Sequence, residues 1–99
     1  MVDEAGEAGR LDRWLFFARL CKSRSLAARL CEEGFVAVDG AVARRPARTI
    51  RAGNLVAVTI GRSQRRVRVL ALGTRRGPAP EAQGLYEDLG TVPVPDDWG

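Results

Sequence analysis

From Arg10 the apolar positions Leu11, Trp14, Leu15 and Ala18 fall at i, i+3, i+4 and i+7, one stripe of a helix of about three turns. A polar break, Cys21-Lys22-Ser23-Arg24, separates it from a second helix predicted from Arg24 to about Glu33. Ser23 suits the N-cap, because its hydroxyl can accept an early backbone N–H. Leu26, Ala27, Leu30 and Cys31 supply the buried face, and Gly34 stands where a left-handed residue ends a helix. Beyond Gly34 the pattern turns extended. Phe35 to Val38 and Ala41 to Ala43 flank Asp39-Gly40, a strong two-residue hairpin signal. Arg44-Arg45-Pro46-Ala47-Arg48 reads as a basic loop, since Pro46 has no donor for a central strand. Thr49-Ile50 pairs briefly, Leu55 to Ile60 is the longest β-branched run, and Arg65 to Leu72 answers it across the Gly61–Gln64 turn. Two helices followed by four strands predict an α+β fold, with both N-terminal helices packed on a small, mostly antiparallel sheet.

A linker opens at Arg75-Arg76-Gly77-Pro78, after which Ala82, Leu85, Tyr86 and Leu89 return at helical spacing behind Pro80. They predict a short helix around residues 80–89, with a disordered acidic end after it. The expected organisation is an acidic, disordered tail over 1–9, a folded domain over 10–73 and a C-terminal segment over 74–99.

Composition narrows the function. Ninety-nine residues fit one small domain with no separate catalytic body beside it. The chain has no His, which removes His acid/base chemistry, Ser-His-Asp triads and His-containing metal sites. Cys21 and Cys31 make no CxxC pair and suit core positions. Neither GxxxxGK[ST] nor GxGxxG occurs, and no Ser has a base to activate it. Glu32 and Glu33 are adjacent on a helix, so their side chains diverge by about 100° rather than forming an acid/base pair. The expectation is a non-catalytic protein without metal or cofactor. No apolar run approaches the ~20 residues of a membrane span, and the acidic start MVDEAGEAG lacks the basic-then-apolar order of a signal peptide. With two thiols free, the chain reads as cytoplasmic and away from membranes.

Charge supplies the positive signal. Residues 10–76 hold all sixteen Lys and Arg against only Asp12, Glu32, Glu33 and Asp39, a net of +12, whereas the two ends are purely acidic. Such a segment attracts a polyanion, and an arginine-rich one suits bidentate phosphate contact. The candidate binding residues are Arg10, Arg13, Arg19, Lys22, Ser23 and Arg24 around the two helices, with Arg44, Arg45 and Arg48 from the basic loop. A phosphate at the start of the second helix would meet Ser23, the first-turn amides and flanking cations. Phe16 and Phe17 cannot both join the core stripe. One is available to stack on a base or ribose, unless Phe16 packs under the sheet edge or against the segment around Tyr86.

The run RLDRWLFFARLCKSRSLAARLCEEGFVAVDG resembles the S4-type RNA-binding domain, and within it the heat-shock protein 15 family of ribosome-associated proteins. The motif R-L-D-[KR]-W-L is matched from Arg10 to Leu15, and A-R-x-x-K-[ST]-R by Ala18-Arg19 with Lys22-Ser23-Arg24. The V-x-[VY]-[ND]-G hairpin is matched by Val36 to Gly40, and K-P-S by Arg45-Pro46-Ala47, with Ala in place of Ser. A segment of the type R-G-P-A-x-E-A-x-x-L-Y-E is matched from Arg76 to Glu87. The resemblance spans roughly residues 10–89. It implies binding of structured ribosomal RNA or tRNA by the two-helix face and adjoining loop, on a large ribosomal subunit that is stalled or still carries a nascent chain, as part of a heat-shock or stress response. Where members of the family often end in a basic helical tail, this chain ends Asp96-Asp97-Trp98-Gly99. The expected protein is a monomer. Two other readings are open: an S4-domain quality-control factor acting with tRNA on the large subunit, and a protein-interaction module whose RNA binding is incidental.

Overall fold

The computed structural model describes residues 8–94. In chain order its elements are β1 (Ala8–Arg10), α1 (Leu11–Phe17), α2 (Arg24–Glu32), β2 (Val36–Val38), β3 (Ala41–Val42), β4 (Thr49–Arg51), β5 (Leu55–Ile60), β6 (Ser63–Val69), α3 (Ala79–Ala82), a 3-10 turn (Gln83–Leu85) and β7 (Tyr86–Pro93). The fold is α+β, as the apolar pattern predicts.

Each helix ends for a local reason. α1 has about two turns rather than three. Arg19 adopts a left-handed φ of 61°, and the N–H groups of Leu20 and Cys21 both donate to the Leu15 carbonyl, at 3.0 and 3.1 Å. This closure turns Leu20 and Cys21 back into the core, where both are buried. α2 starts on Ser23, whose Oγ accepts from the Leu26 N–H at 3.0 Å. It stops at Gly34, whose φ of 88° lets the Phe35 N–H reach back to the Leu30 carbonyl at 2.8 Å.

Strand register determines where the core lies. Five strands pair antiparallel in the order β3-β2-β5-β6-β7. Val36 pairs with Val58, Val38 with Val56, and Val56 with Val67. Because paired residues share a face, these valines and Val69 form one apolar sheet surface. Leu11, Trp14, Leu15, Ala27, Leu30 and Cys31 close over it from the helices. The Trp14 indole N–H donates to the Ala71 carbonyl at 2.9 Å, which satisfies the polar atom of the largest fully buried side chain.

The structure corrects three boundaries. Ala8 and Gly9, expected in a disordered tail, belong to β1, which pairs with β4 in a separate two-stranded sheet and carries Ile50 into the core. Residues 1–7 and 95–99, the remainder of the expected tails, lie outside the described residues. At the other end, the helix expected around 80–89 ends at Ala82 and continues only as the 3-10 turn. Tyr86–Pro93 is instead the edge strand beside β6, bulged between Arg66 and Val67. Pairing to a neighbouring strand satisfies its backbone, which a helix interrupted at Gly84 would do poorly.

Both cysteines are free and buried. Burial pushes the Cys21 thiol up to about 11 and, helped by the charge of Asp12, the Cys31 thiol up to about 12. An unfolded thiol ionises near 8.5. Above about pH 8.5 the unfolded chain therefore releases protons that the folded chain retains, and stability falls as pH rises through about 11 to 12. Urea unfolding at about pH 7 and about pH 10 should show a lower midpoint at the higher pH, and a Cys21→Ala/Cys31→Ala variant should narrow the difference.

Candidate nucleic-acid interface

The N-terminus of α1 has no side-chain cap, because Arg10 occupies the capping position. Its unpaired donors are met in another way. The Leu11 N–H donates to the Arg48 carbonyl at 2.9 Å and the Asp12 N–H to the Pro46 carbonyl at 3.0 Å. The Arg13 N–H donates to Asp12 Oδ1 at 2.8 Å. The basic loop is thus fastened to the first turn of α1, which brings Arg45 and Arg48 beside Arg10 and Arg13.

Asp12 is the one buried charged residue among those described. Arg10 donates to it twice, through Nε at 3.0 Å and Nη2 at 2.9 Å, so the carboxylate is paired and hydrogen-bonded as burial requires. The same hydrogen bond, and then the Asp12 charge, raise the Arg10 pKa above its usual value. Two of the five guanidinium donors face Asp12, leaving three for an outside partner.

The predicted residues form two groups, one at each end of α1, roughly 10 Å apart by helical rise. Arg10, Arg44, Arg45 and Arg48 lie where α1 begins and α2 ends, and Arg44 donates to the Glu32 carbonyl at 3.3 Å. Arg19, Lys22, Ser23 and Arg24 lie where α1 ends and α2 begins, with Arg13 on the exposed side of α1 between the groups. Arg19 is tied down by Nε donating to the Gly77 carbonyl at 2.8 Å. The Ser23 hydroxyl oxygen already accepts the capping bond from Leu26.

Arg76 belongs to the second group and was not among the candidates. Its guanidinium lies 4.6 Å from the centre of the Phe16 ring, while Nη1 donates to the Lys22 carbonyl at 2.8 Å. It bridges the end of α1 to the turn that carries Lys22. The signal available in the sequence was the Arg75-Arg76 pair, which reads as linker because nothing local shows that the segment folds back.

What remains unpaired locates the positive field. Among the described residues, Arg13, Lys22, Arg24, Arg29, Arg45 and Arg48 have side chains with no hydrogen bond or ion pair to the protein, and all are exposed. The arginines of residues 49–94 are all engaged. Arg65 reaches Tyr86 Oη at 2.9 Å and Asp88 at 3.5 Å, Arg68 meets Glu87 at 3.3 Å, Arg75 meets Glu81 at 2.8 Å, and Arg66 donates to Gln64. Arg76 is held as above, and Arg51 and Arg62 also have partners. Uncompensated cations therefore concentrate on the helices and the basic loop, the surface able to receive phosphates. No group of three or more His, Cys, Asp or Glu able to hold a metal occurs among the described residues, and no helix there is long and apolar enough to cross a membrane.

Comparison with known proteins converges on this region. The S4 domain family model matches residues 9–56. A heat shock protein 15 homolog of Aeromonas salmonicida is 44% identical over 79 residues, covering 80% of this chain and 59% of the relative. Heat shock protein 15 of Escherichia coli K12 is 37% identical over the same share of each chain. The chain thus spans about 59% of the length of these curated relatives. The structure of heat shock protein 15 from Vibrio cholerae, described as trimeric, superposes with a TM-score of 0.77 at 35% identity, covering 83% of this chain and 82% of that one.

Within the matched segment, Asp12 orients Arg10 and accepts from the Arg13 N–H. Asp12→Ala strips Arg10 of its partner and leaves the Arg13 N–H without its acceptor, and should cost about 1–3 kcal/mol in chemical denaturation. Glu33→Ala, at an exposed carboxylate, should stay within about 0.5 kcal/mol of the parent.

Proposed function

The chain belongs to the heat shock protein 15 family of S4-domain proteins, and from that membership we propose that it is a non-catalytic RNA-binding protein of the ribosome. Its target is structured RNA on the large subunit, and its role is to assist subunits that are stalled or still carry a nascent chain. The S4-type unit over residues 10–73 makes the contact, through Arg10, Arg13, Arg19, Lys22, Ser23, Arg24, Arg44, Arg45 and Arg48.

The observation that carries this reading is the segregation of unpartnered cations onto the α1–α2 face and the basic loop. A polyanion gains most where no protein carboxylate has to be displaced. Two cation groups at the two ends of α1 match a backbone whose charges recur along a path, as in a folded RNA, better than a single small anion. Recognition is of backbone and shape, since exposed Arg and Lys without a rigid partner carry little base information.

The test is co-sedimentation with purified ribosomal subunits across a salt series. Binding to the large subunit alone, with a log–log salt slope near −4 to −5 for about six phosphates, is the expected outcome. Lys22→Ala/Arg24→Ala should weaken binding and flatten the slope by about one for each lost contact, with thermal unfolding almost unchanged. Undiminished binding by that variant would move the site away from the start of α2. Failure to bind either subunit at low salt would remove the ribosomal assignment.

A further inference from the structure

Between α1, β1 and the segment that follows β6 lies a half-open recess of about 270 Å³. Its lining includes Gly9, Arg10, Arg13, Trp14, Phe17 and Thr74. We propose that this recess is a nucleotide site, receiving one unpaired base of a bound RNA against Phe17 while Arg13 and Arg10 hold that nucleotide's phosphate. The proposal rests on the RNA-binding reading above and names what one part of that surface recognises.

Several features favour this occupant. Arg13 and Phe17 stand at i and i+4, so a cation and an aromatic ring lie next to each other along one face of α1. Phe17 is the available member of the aromatic pair. Phe16 already carries the Arg76 guanidinium on its ring, whereas among the described residues Phe17 has only the tilted edge of Phe16, 6.2 Å away between centres. The charge in the recess is all positive: Arg13 is unpartnered, three Arg10 donors are unused by Asp12, and no carboxylate lines the wall. The volume falls just below the roughly 300–1,000 Å³ usual for a small-molecule pocket, and suits one planar group rather than a dinucleotide cofactor. The Trp14 indole N–H is already bonded to Ala71, so it needs no polar partner in the recess. Leu72 packs closely beside Gly9 in the wall, where a Cβ on Gly9 would come within 2.9 Å of its side chain. Polar reach comes from Thr74, which gives an inserted base a hydroxyl partner.

The experiment compares two RNA hairpins that differ at one bulged position, which carries a base in one and is abasic in the other. Both hairpins keep the backbone charge and the bend, so only the base is tested. The intact protein should prefer the base-bearing hairpin by roughly fivefold or more, the scale of one base–aromatic stack. Phe17→Leu should bring the ratio close to one while leaving affinity for the abasic hairpin unchanged, and Phe17→Tyr should keep the preference. Equal binding of both hairpins by the parent would overturn the nucleotide site and leave RNA binding standing. Binding of neither hairpin at low salt would overturn both readings. A preference that survives Phe17→Leu would place the base elsewhere and overturn the proposal.

Discussion

The first turn of α1 begins with backbone donors that its own capping residue cannot satisfy. Carbonyls of Arg48 and Pro46 accept two of them, and Asp12 accepts the third while gripping Arg10. The two backbone bonds join residues far apart in sequence, so they fix the loop, the helix and the strand after the loop as one unit. β4 follows directly from Arg48 and pairs with β1, which leads into α1. Ile50 enters the core from this closed circuit and is fully buried. A buried carboxylate is expensive unless paired, and here Arg10 pairs it while the two backbone bonds hold the loop arginines next to those of α1.

The acidic C-terminal segment takes on a different meaning once β7 is in place. Glu87 and Asp88 lie beside Arg68 and Arg65 across the strand pair. Such exposed pairs add little to stability, on the order of 0–1 kcal/mol each. Their larger effect is on the field. They cancel sheet charge close to its source, while the helix face keeps its cations unopposed. A chain with net charge +4 thereby presents a locally stronger patch than its total indicates.

Much of this was legible in the sequence because it is local. The α2 cap at Ser23, the stop at Gly34, and the Asp39-Gly40 turn, with φ of 51° and 87°, all follow from residues within a few positions of each other. What was not legible depends on pairing at long range. Ala82, Leu85, Tyr86 and Leu89 have helical spacing, yet Leu89 is exposed on a strand, because the arginines of β6 and its unpaired edge decide the conformation. β1 is three residues whose partner lies about forty positions away. The candidate cations were identifiable by composition. Their division between the two ends of α1 was not, since it depends on the loop backbone bonding to the start of α1.

The turn between the helices shows how the segment after the sheet takes part in the interface. Arg19 is a non-glycine residue in the left-handed region, a conformation that costs about 1–2 kcal/mol. The bonds from Leu20 and Cys21 to Leu15 offset part of that cost, and Arg19 Nε fastens the side chain to the Gly77 carbonyl. The neighbouring Arg76 takes hold of Phe16 and of the Lys22 carbonyl. Gly77 is itself buried, and a Cβ there would meet the end of the Glu81 side chain, which would have to swing away to admit it. The S4 match ends at Val56, yet the turn presenting Lys22 is held from residues 76 and 77. Orientation of those cations is therefore a property of the whole described fold, and a change in the C-terminal segment can alter the interface without touching any residue of the matched domain.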